Sequence, residues 1–190
     1  MNDVIVIGVD HGYAAMKTVH FSFPTGLVEY EHEPYTQKDV LECGGRYYVV
    51  GSGRQPLQRD KTQTEDYYLL TLAAIAKELE HRGAEHTASI HLAAGLPLTS
   101  FGRDKKSFRS YLYRDGSAIP FRYEGQDYDI ICGTFFIAGL GQEDFVSLTD
   151  EQIQRYKSLY DNVQTLPVRN GNQRTGTDRW RSTHKKEREI

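Results

Sequence analysis

The chain has 190 residues, a length that suits one domain with a sizeable core and is short for two. Of these residues, 38% are hydrophobic. Its net charge of −3 is unevenly distributed. Residues 169–190 hold five arginines and two lysines against one aspartate and two glutamates, a net charge of +4, so the preceding 168 residues carry −7. This acidic part of the chain argues against a nucleic-acid-binding domain. Two cysteines, Cys43 and Cys132, lack the spacing of a disulfide framework or a metal site. The sequence shows no basic leader and no apolar run near the roughly 18 residues of a membrane span. We therefore expect a cytoplasmic protein.

The first part of the chain predicts strands. The run Val4–Val9 is continuously apolar, as in a central strand that is covered on both faces. Residues 17–23 alternate between apolar and polar types, which predicts a second strand, and the Pro24–Gly26 turn leads into a third strand over 27–32. These three segments together predict an antiparallel meander.

A glycine pair marks the next predicted element. Gly44-Gly45 separates two short segments, 39–43 and 46–50, and supplies the positive φ values that a tight hairpin turn needs. Residues 54–64 that follow are polar and predict a connector.

Residues 65–82 predict the longest helix of the first half. Their apolar side chains recur at the i, i+3, i+4, i+7 spacing of an amphipathic helix. Thr62 or Thr64 is expected to cap its start, and Gly83 is expected to end it.

The second half continues with strands and helices. A buried strand over 89–94 ends in small residues at the Gly95-Leu96-Pro97 turn, which leaves room for a neighbouring backbone or a ligand. The other predicted elements are an amphipathic helix over 100–112, a hairpin of 119–123 and 128–132 around Glu124-Gly125, a strand over 134–137 and a last helix over 149–160.

The pattern Asp10-x-Gly12-x-x-x-x-Lys17 points to phosphate chemistry. It begins at the carboxyl end of the first strand, where ligands bind in open α/β sheets. A carboxylate there can hold Mg²⁺ through water, Gly12 lets backbone amides approach a phosphate, and Lys17 adds a point charge. The pattern alone is weak, because it also occurs by chance in chains of this length. Asp10 could instead cap a turn, and Lys17 could lie in solvent at a strand end. It is not a Walker loop, which would need Gly-Lys-Ser/Thr leading into a helix. It is not a dinucleotide fingerprint either, because Gly12 has no glycine partners and a predicted β-hairpin follows.

Three stretches resemble the actin-like ATPases, in particular the ParM/StbA group of bacterial plasmid-segregation proteins. Residues 7–17 are similar to the first phosphate loop of that superfamily. Residues 66–79 resemble its long first helix, and residues 92–98 resemble the strand and Gly-Leu-Pro turn of the segregation proteins. The likeness extends over about residues 4–140.

The resemblance implies one ribonuclease-H-like α/β domain, with a mixed sheet flanked by helices and a small inserted subdomain. It implies ATP and Mg²⁺ as cofactors, with Asp10, His11, Gly12 and Lys17 at the nucleotide and Asp10 holding the metal through water. Gln142 is the nearest candidate for orienting the attacking water, although it could also be an ordinary exposed loop glutamine. The implied partners are further copies in a filament and a plasmid adaptor protein, with no membrane and no direct nucleic-acid contact.

Three segments are expected along the chain. They are an actin-like ATPase N-terminal domain over 1–148, a helix and connector over 149–168, and a basic tail over 169–190 whose composition predicts disorder. The resembling proteins clamp ATP between two domains, and the second phosphate loop and adenine pocket are missing from this sequence. We therefore expect impaired ATP hydrolysis, and the charged tail fits a truncated or frame-shifted copy.

Two other functions remain open from the sequence. The chain could be a fragment of a small-molecule kinase of the same superfamily, which would need a catalytic aspartate beyond this region. It could instead be a non-enzymatic binding module whose tail contacts nucleic acid. Seven cations in that tail would engage a few phosphates, and binding would then fall steeply with salt.

Overall fold

The computed structural model describes residues 5–53, 60–96 and 98–138, which lie in one compact unit. The described residues form a nine-stranded sheet in the order β3-β2-β1-β7-β9-β8-β5-β6-β4 and two α-helices. The elements are β1 (Ile5–His11), β2 (Ala15–Lys17), β3 (Ser22–Pro24), β4 (Leu27–Tyr30), β5 (Val40–Cys43), β6 (Arg46–Val50), α1 (Asp66–His81), β7 (Thr87–Leu96), α2 (Leu98–Tyr113), β8 (Ala118–Tyr123) and β9 (Gln126–Ala138).

The centre of the sheet is parallel. Residues 5–9 of β1 pair with residues 90–94 of β7 without a break, and β7 pairs with β9 along all ten of its residues. Parallel strands are normally covered on both faces, and β1 is accordingly buried from Val6 to His11. Antiparallel strands flank this centre, so the sheet is mixed and the predicted α/β fold class is confirmed.

The outer strands correct the predicted meander. β2 and β3 form one edge beside β1, as expected, but β4 pairs antiparallel with β6 at the far edge of the sheet. The prediction that the first three strand segments form one meander is therefore wrong. The strands β4, β5 and β6, inserted between β3 and α1, extend the sheet through the pairing of β5 with β8.

Residues 18–21 form a turn between β2 and β3, so the single strand predicted for residues 17–23 is wrong. The Thr18 amide donates to the Phe21 carbonyl (2.8 Å), and the Phe21 amide donates to the Thr18 hydroxyl (3.0 Å). At the tip, both the amide and the ring of His20 contact the Glu78 carboxylate of α1, at 3.1 and 2.9 Å. The alternating residue types favour a strand locally, but this contact with α1 holds the turn.

Helix α1 lies across one face of the sheet. Its predicted apolar stripe is fully buried, and Leu70, Ile75 and Leu79 are each at most 1% exposed. Burial of each such side chain contributes about 1.5–3 kcal/mol to the stability of the fold. Because most residues of α1 are buried, the helix supplies a large part of the core. The helix ends at Gly83, whose φ of +58° confirms the predicted stop.

The start of α1 differs from the prediction. The N-cap residue is Glu65, and its side chain makes no capping hydrogen bond. The hydroxyls of Thr62 and Thr64 donate instead to the carboxylates of Asp60 and Asp66, at 2.7 and 2.9 Å. The prediction that Thr62 or Thr64 caps the helix is therefore wrong.

Helix α2 confirms the predicted amphipathic helix and packs on the same face as α1. Phe108 and Leu112 are each 2% exposed and belong to the core. The Tyr111 hydroxyl donates to the Thr64 carbonyl (2.8 Å) and accepts from the Tyr68 amide (2.6 Å), which joins the end of α2 to the start of α1.

Several predictions concern residues that the structure does not describe. The predicted helix over 149–160, the segments 149–168 and 169–190, and Gln142 lie outside the described residues. Of the two described helices, neither combines the length and the apolar character that crossing a membrane would take.

Candidate functional site

The β1–β2 hairpin brings two of the predicted site residues together. Asp10 is paired directly with Lys17, and His11 with Met16, across the antiparallel strands. Directly opposite residues in such a pair share a face of the sheet, so the Asp10 carboxylate and the Lys17 side chain lie side by side. Met16 is fully buried and His11 is 1% exposed, which places the second pair on the core face.

Gly12 opens the bend between these strands. A Cβ atom at this position would lie 2.3 Å from the Ala15 carbonyl oxygen, far inside van der Waals contact, so the bend requires glycine. The Thr25 hydroxyl, itself buried, donates to the Gly12 carbonyl (2.8 Å) and anchors the bend to the segment after β3. The glycine of the predicted phosphate motif therefore has a conformational role in this hairpin.

The Asp10 carboxylate is buried and only partly satisfied. Its side chain is 6% exposed, and its Oδ2 atom has no hydrogen-bond partner among the described residues. Burial raises the pKa of Asp10, and the ammonium groups of Lys61 and, less strongly, Lys17 oppose that rise. An unpartnered buried carboxylate oxygen is costly unless a water, a cation or another donor completes it.

The His11 imidazole belongs to the core. The Thr71 hydroxyl donates to the Tyr67 carbonyl (2.6 Å), so it accepts from the His11 Nε2–H group (2.9 Å). The ring also meets Phe108 edge-on, with centroids 5.0 Å apart. Burial lowers the pKa of His11 to about 3, so the ring is neutral at physiological pH. Its side chain faces away from the Asp10–Lys17 pair, and only the His11 backbone borders the bend.

Lys61 joins the site although the sequence did not single it out. Its ammonium donates to the His11 carbonyl and lies over the rings of Tyr13 and Tyr67, at 4.6 and 5.2 Å from their centroids. Burial lowers the pKa of Lys61 to about 8, while the nearby Asp10 carboxylate opposes that fall. Lys61 belongs to the predicted polar connector, fifty residues after the bend, where no pattern of neighbouring residues marks it.

The sheet beside Asp10 is lined by small residues. Gly8 lies two residues before Asp10 on the same face and pairs with Ala93 of β7. Such residues leave space for a ligand at the carboxyl ends of the central strands. Within residues 5–53, 60–96 and 98–138, no group of three or more His, Cys, Asp or Glu side chains is placed to hold a metal ion.

Comparison with known families gives two matches. A family described as the actin-like proteins N-terminal domain matches residues 8–134. A domain of unknown function, DUF3846, matches residues 110–161 and so overlaps the end of the first match. No sequence among the curated proteins matches the chain.

Solved structures of actin-like proteins have folds similar to that of this chain. Apo ParM of pSK41 has a TM-score of 0.56 at 17% identity, over 72% of this chain and 50% of that one. The filament structure of AlfA from the B. subtilis plasmid pLS32 has a TM-score of 0.55 at 18% identity, over 71% and 56%. The archaeal actin homologue Ta0583 in complex with ADP has a TM-score of 0.53 at 19% identity, over 72% and 43%.

These likenesses confirm the resemblance and the actin-like fold predicted from residues 7–17, 66–79 and 92–98. The chain spans about half the length of the solved proteins that it matches.

Proposed function

The chain belongs to the actin-like protein family, and from that membership we propose that its β1–β2 hairpin binds the phosphates of ATP or ADP. The observation that carries the proposal is the direct pairing of Asp10 with Lys17 at the carboxyl end of a central parallel strand. The fold-level likeness to an archaeal actin homologue solved with ADP supports a nucleotide as the ligand.

Each residue of the hairpin has a distinct role in this proposal. Lys17 supplies a positive charge to a phosphate, and the bend at Gly12 lets backbone amides approach the same group. Asp10 fits Mg²⁺ held through water, because its buried Oδ2 atom lacks a partner among the described residues. When bound, the ion would neutralise phosphate charge.

We also propose that the domain works in self-association, as part of a filament for plasmid partitioning with a plasmid adaptor protein. The filament structure of AlfA, a protein of the same fold, supports assembly as the activity. The catalytic assignment of Gln142 stays a prediction.

Calorimetry on Lys17→Ala tests the nucleotide site. We expect the affinity for ADP with Mg²⁺ to fall about ten- to hundredfold, which is the usual effect of losing a charge-assisted hydrogen bond. Lys106→Ala is the matched control, since Lys106 is an exposed lysine on α2, and it should bind as the unchanged chain does. Equal affinities for the unchanged chain and Lys17→Ala would remove the site assignment.

A further inference from the structure

Lys61 is held against the bend of the first hairpin by three contacts. Its ammonium donates to the His11 carbonyl, and the rings of Tyr13 and Tyr67 flank it. The His11 carbonyl lies at the end of β1 and the Tyr13 ring in the bend after it, while Tyr67 belongs to the first turn of α1. The cation is thus fixed where the carboxyl end of β1 meets α1.

The direct partners of this ammonium among the described residues carry no negative charge. Among the described residues no carboxylate lies within ion-pair distance of the Lys61 Nζ atom, and its direct contacts are a carbonyl and two aromatic faces. Aromatic faces attract a cation, but by only about 0.5–2 kcal/mol. Asp10 acts on Lys61 through longer-range attraction and is shared with Lys17. Lys61 donates to the carbonyl of His11, the residue after Asp10, and Lys17 is paired with Asp10 across the hairpin. Two ammonium groups therefore adjoin one carboxylate, an excess of positive charge that an anion would complete.

We propose that Lys61 is a second phosphate-binding residue of this site and reaches the anion from the α1 side, while Lys17 reaches it from the β2 side. The inference rests on the proposed nucleotide function of the hairpin. An ammonium has three donors, and the His11 carbonyl uses one of them, so two remain for phosphate oxygens. Because the tyrosine rings already restrict the side chain, little conformational entropy is lost when the anion binds.

Binding of inorganic pyrophosphate and of ADP to the full chain in EDTA tests the proposal without the metal. Lys61→Met should weaken both ligands about ten- to hundredfold, and Lys61→Arg, which keeps the charge, should restore most of that loss. Lys106→Met on α2 is the matched control and should bind normally. Circular dichroism of the ligand-free variants checks that each one folds.

Lysine footprinting on the unchanged chain separates binding from a purely structural role. Limiting acetic anhydride acylates lysine amines, and mass spectrometry reads each site with and without pyrophosphate. We expect pyrophosphate to slow acylation of Lys61 and Lys17 several-fold and to leave Lys106 unchanged.

Each outcome decides the proposal. Protection of Lys61, with weaker binding by Lys61→Met, supports it. Protection of Lys17 alone, or a Lys61→Met chain that binds equally or more tightly, overturns it and leaves the hairpin site standing. Weaker binding by Lys61→Met without protection of Lys61 also overturns it, because that result describes a structural anchor. If the unchanged chain binds neither ligand and Lys17 is unprotected, both the inference and the proposed function fail.

Discussion

Asp10 and His11 are adjacent residues with opposite environments. The carboxylate shares its face with Lys17, whereas the imidazole points into the core and is fixed by Thr71. Strand alternation alone produces this division, because successive side chains leave a strand on opposite faces. A single-residue slip of β1 within the sheet would turn the carboxylate toward the core and bring the imidazole to the face that holds Lys17.

Two glycines offer a matched test of the bend. Gly12→Ala should destabilise the chain and weaken ADP binding, since its Cβ would approach the Ala15 carbonyl to 2.3 Å and force the backbone apart. Gly102→Ala meets nothing within 4 Å in the interior of α2 and should raise stability by up to about 1 kcal/mol, because alanine is the better helix former. Urea denaturation measures the free energy of unfolding of both. A Gly12→Ala chain as stable as its parent would contradict the hairpin geometry.

Part of the site is predictable residue by residue, and part is not. Asp10, Gly12 and Lys17 lie within eight positions, so a local pattern contains them and the hairpin brings them together. The inward direction of His11 follows from alternation once β1 is known to extend to it. Lys61 depends on the packing of α1 against β1, which no local pattern encodes.

At the scale of elements, Glu78 connects α1 to the β2–β3 turn. Its side chain is fully buried, and it also pairs with Arg82 one helical turn later, at 2.9 Å. Burial alone would raise the pKa of Glu78, but hydrogen bonds from Thr18, His20 and Arg82 outweigh burial and hold the pKa below its usual value of 4.5. Because these donors favour the ionised form, Glu78 stabilises the folded chain more when it is ionised than when it is protonated.

The pH dependence of stability tests this connection. The folded chain lowers the pKa of Glu78, so its contribution is present above pH 4.5 and is lost as the pH falls below that value. Glu78→Gln should unfold about 1–3 kcal/mol more easily at pH 7 and lose less stability than its parent on acidification. Glu80→Gln, on an exposed side chain of the same helix, should change the free energy of unfolding by less than about 0.5 kcal/mol. Parallel acid profiles for Glu78→Gln and its parent would contradict this role of Glu78.

The elements differ in how well local sequence predicts them. Helix α1 and the β5–β6 hairpin carry strong local signals in the sequence, a long apolar stripe and a pair of glycines, and both elements are confirmed. Gly44 and Gly45 have the expected positive φ values, +60° and +75°. The 17–23 segment has the alternation of a strand, but the contact of His20 with Glu78 makes it a turn. The place of β4 at the far edge depends on pairing with β6, which its own residues do not specify.

At the scale of the whole molecule, the proposed assembly is directly testable. Light scattering of the full chain should rise when ATP with Mg²⁺ is added, because the family's fold also occurs in a filament structure. Lys17→Ala should stay at the baseline, since the site that would sense the nucleotide is impaired. EDTA should reverse the rise if the metal takes part. A flat trace over a wide range of protein concentration would contradict self-association by this chain.

The parallel pairing of β1 with β7 has a consequence during synthesis. Ile5 pairs with Ile90, about 85 residues later, so the nascent first strand has no β7 partner when it leaves the ribosome. At about 5–20 residues per second, translation takes roughly 4–17 s to supply that partner. For this interval an apolar strand is accessible to chaperones and to other unfinished copies, and a synonymous codon change that slows translation between β1 and β7 would lengthen the exposure.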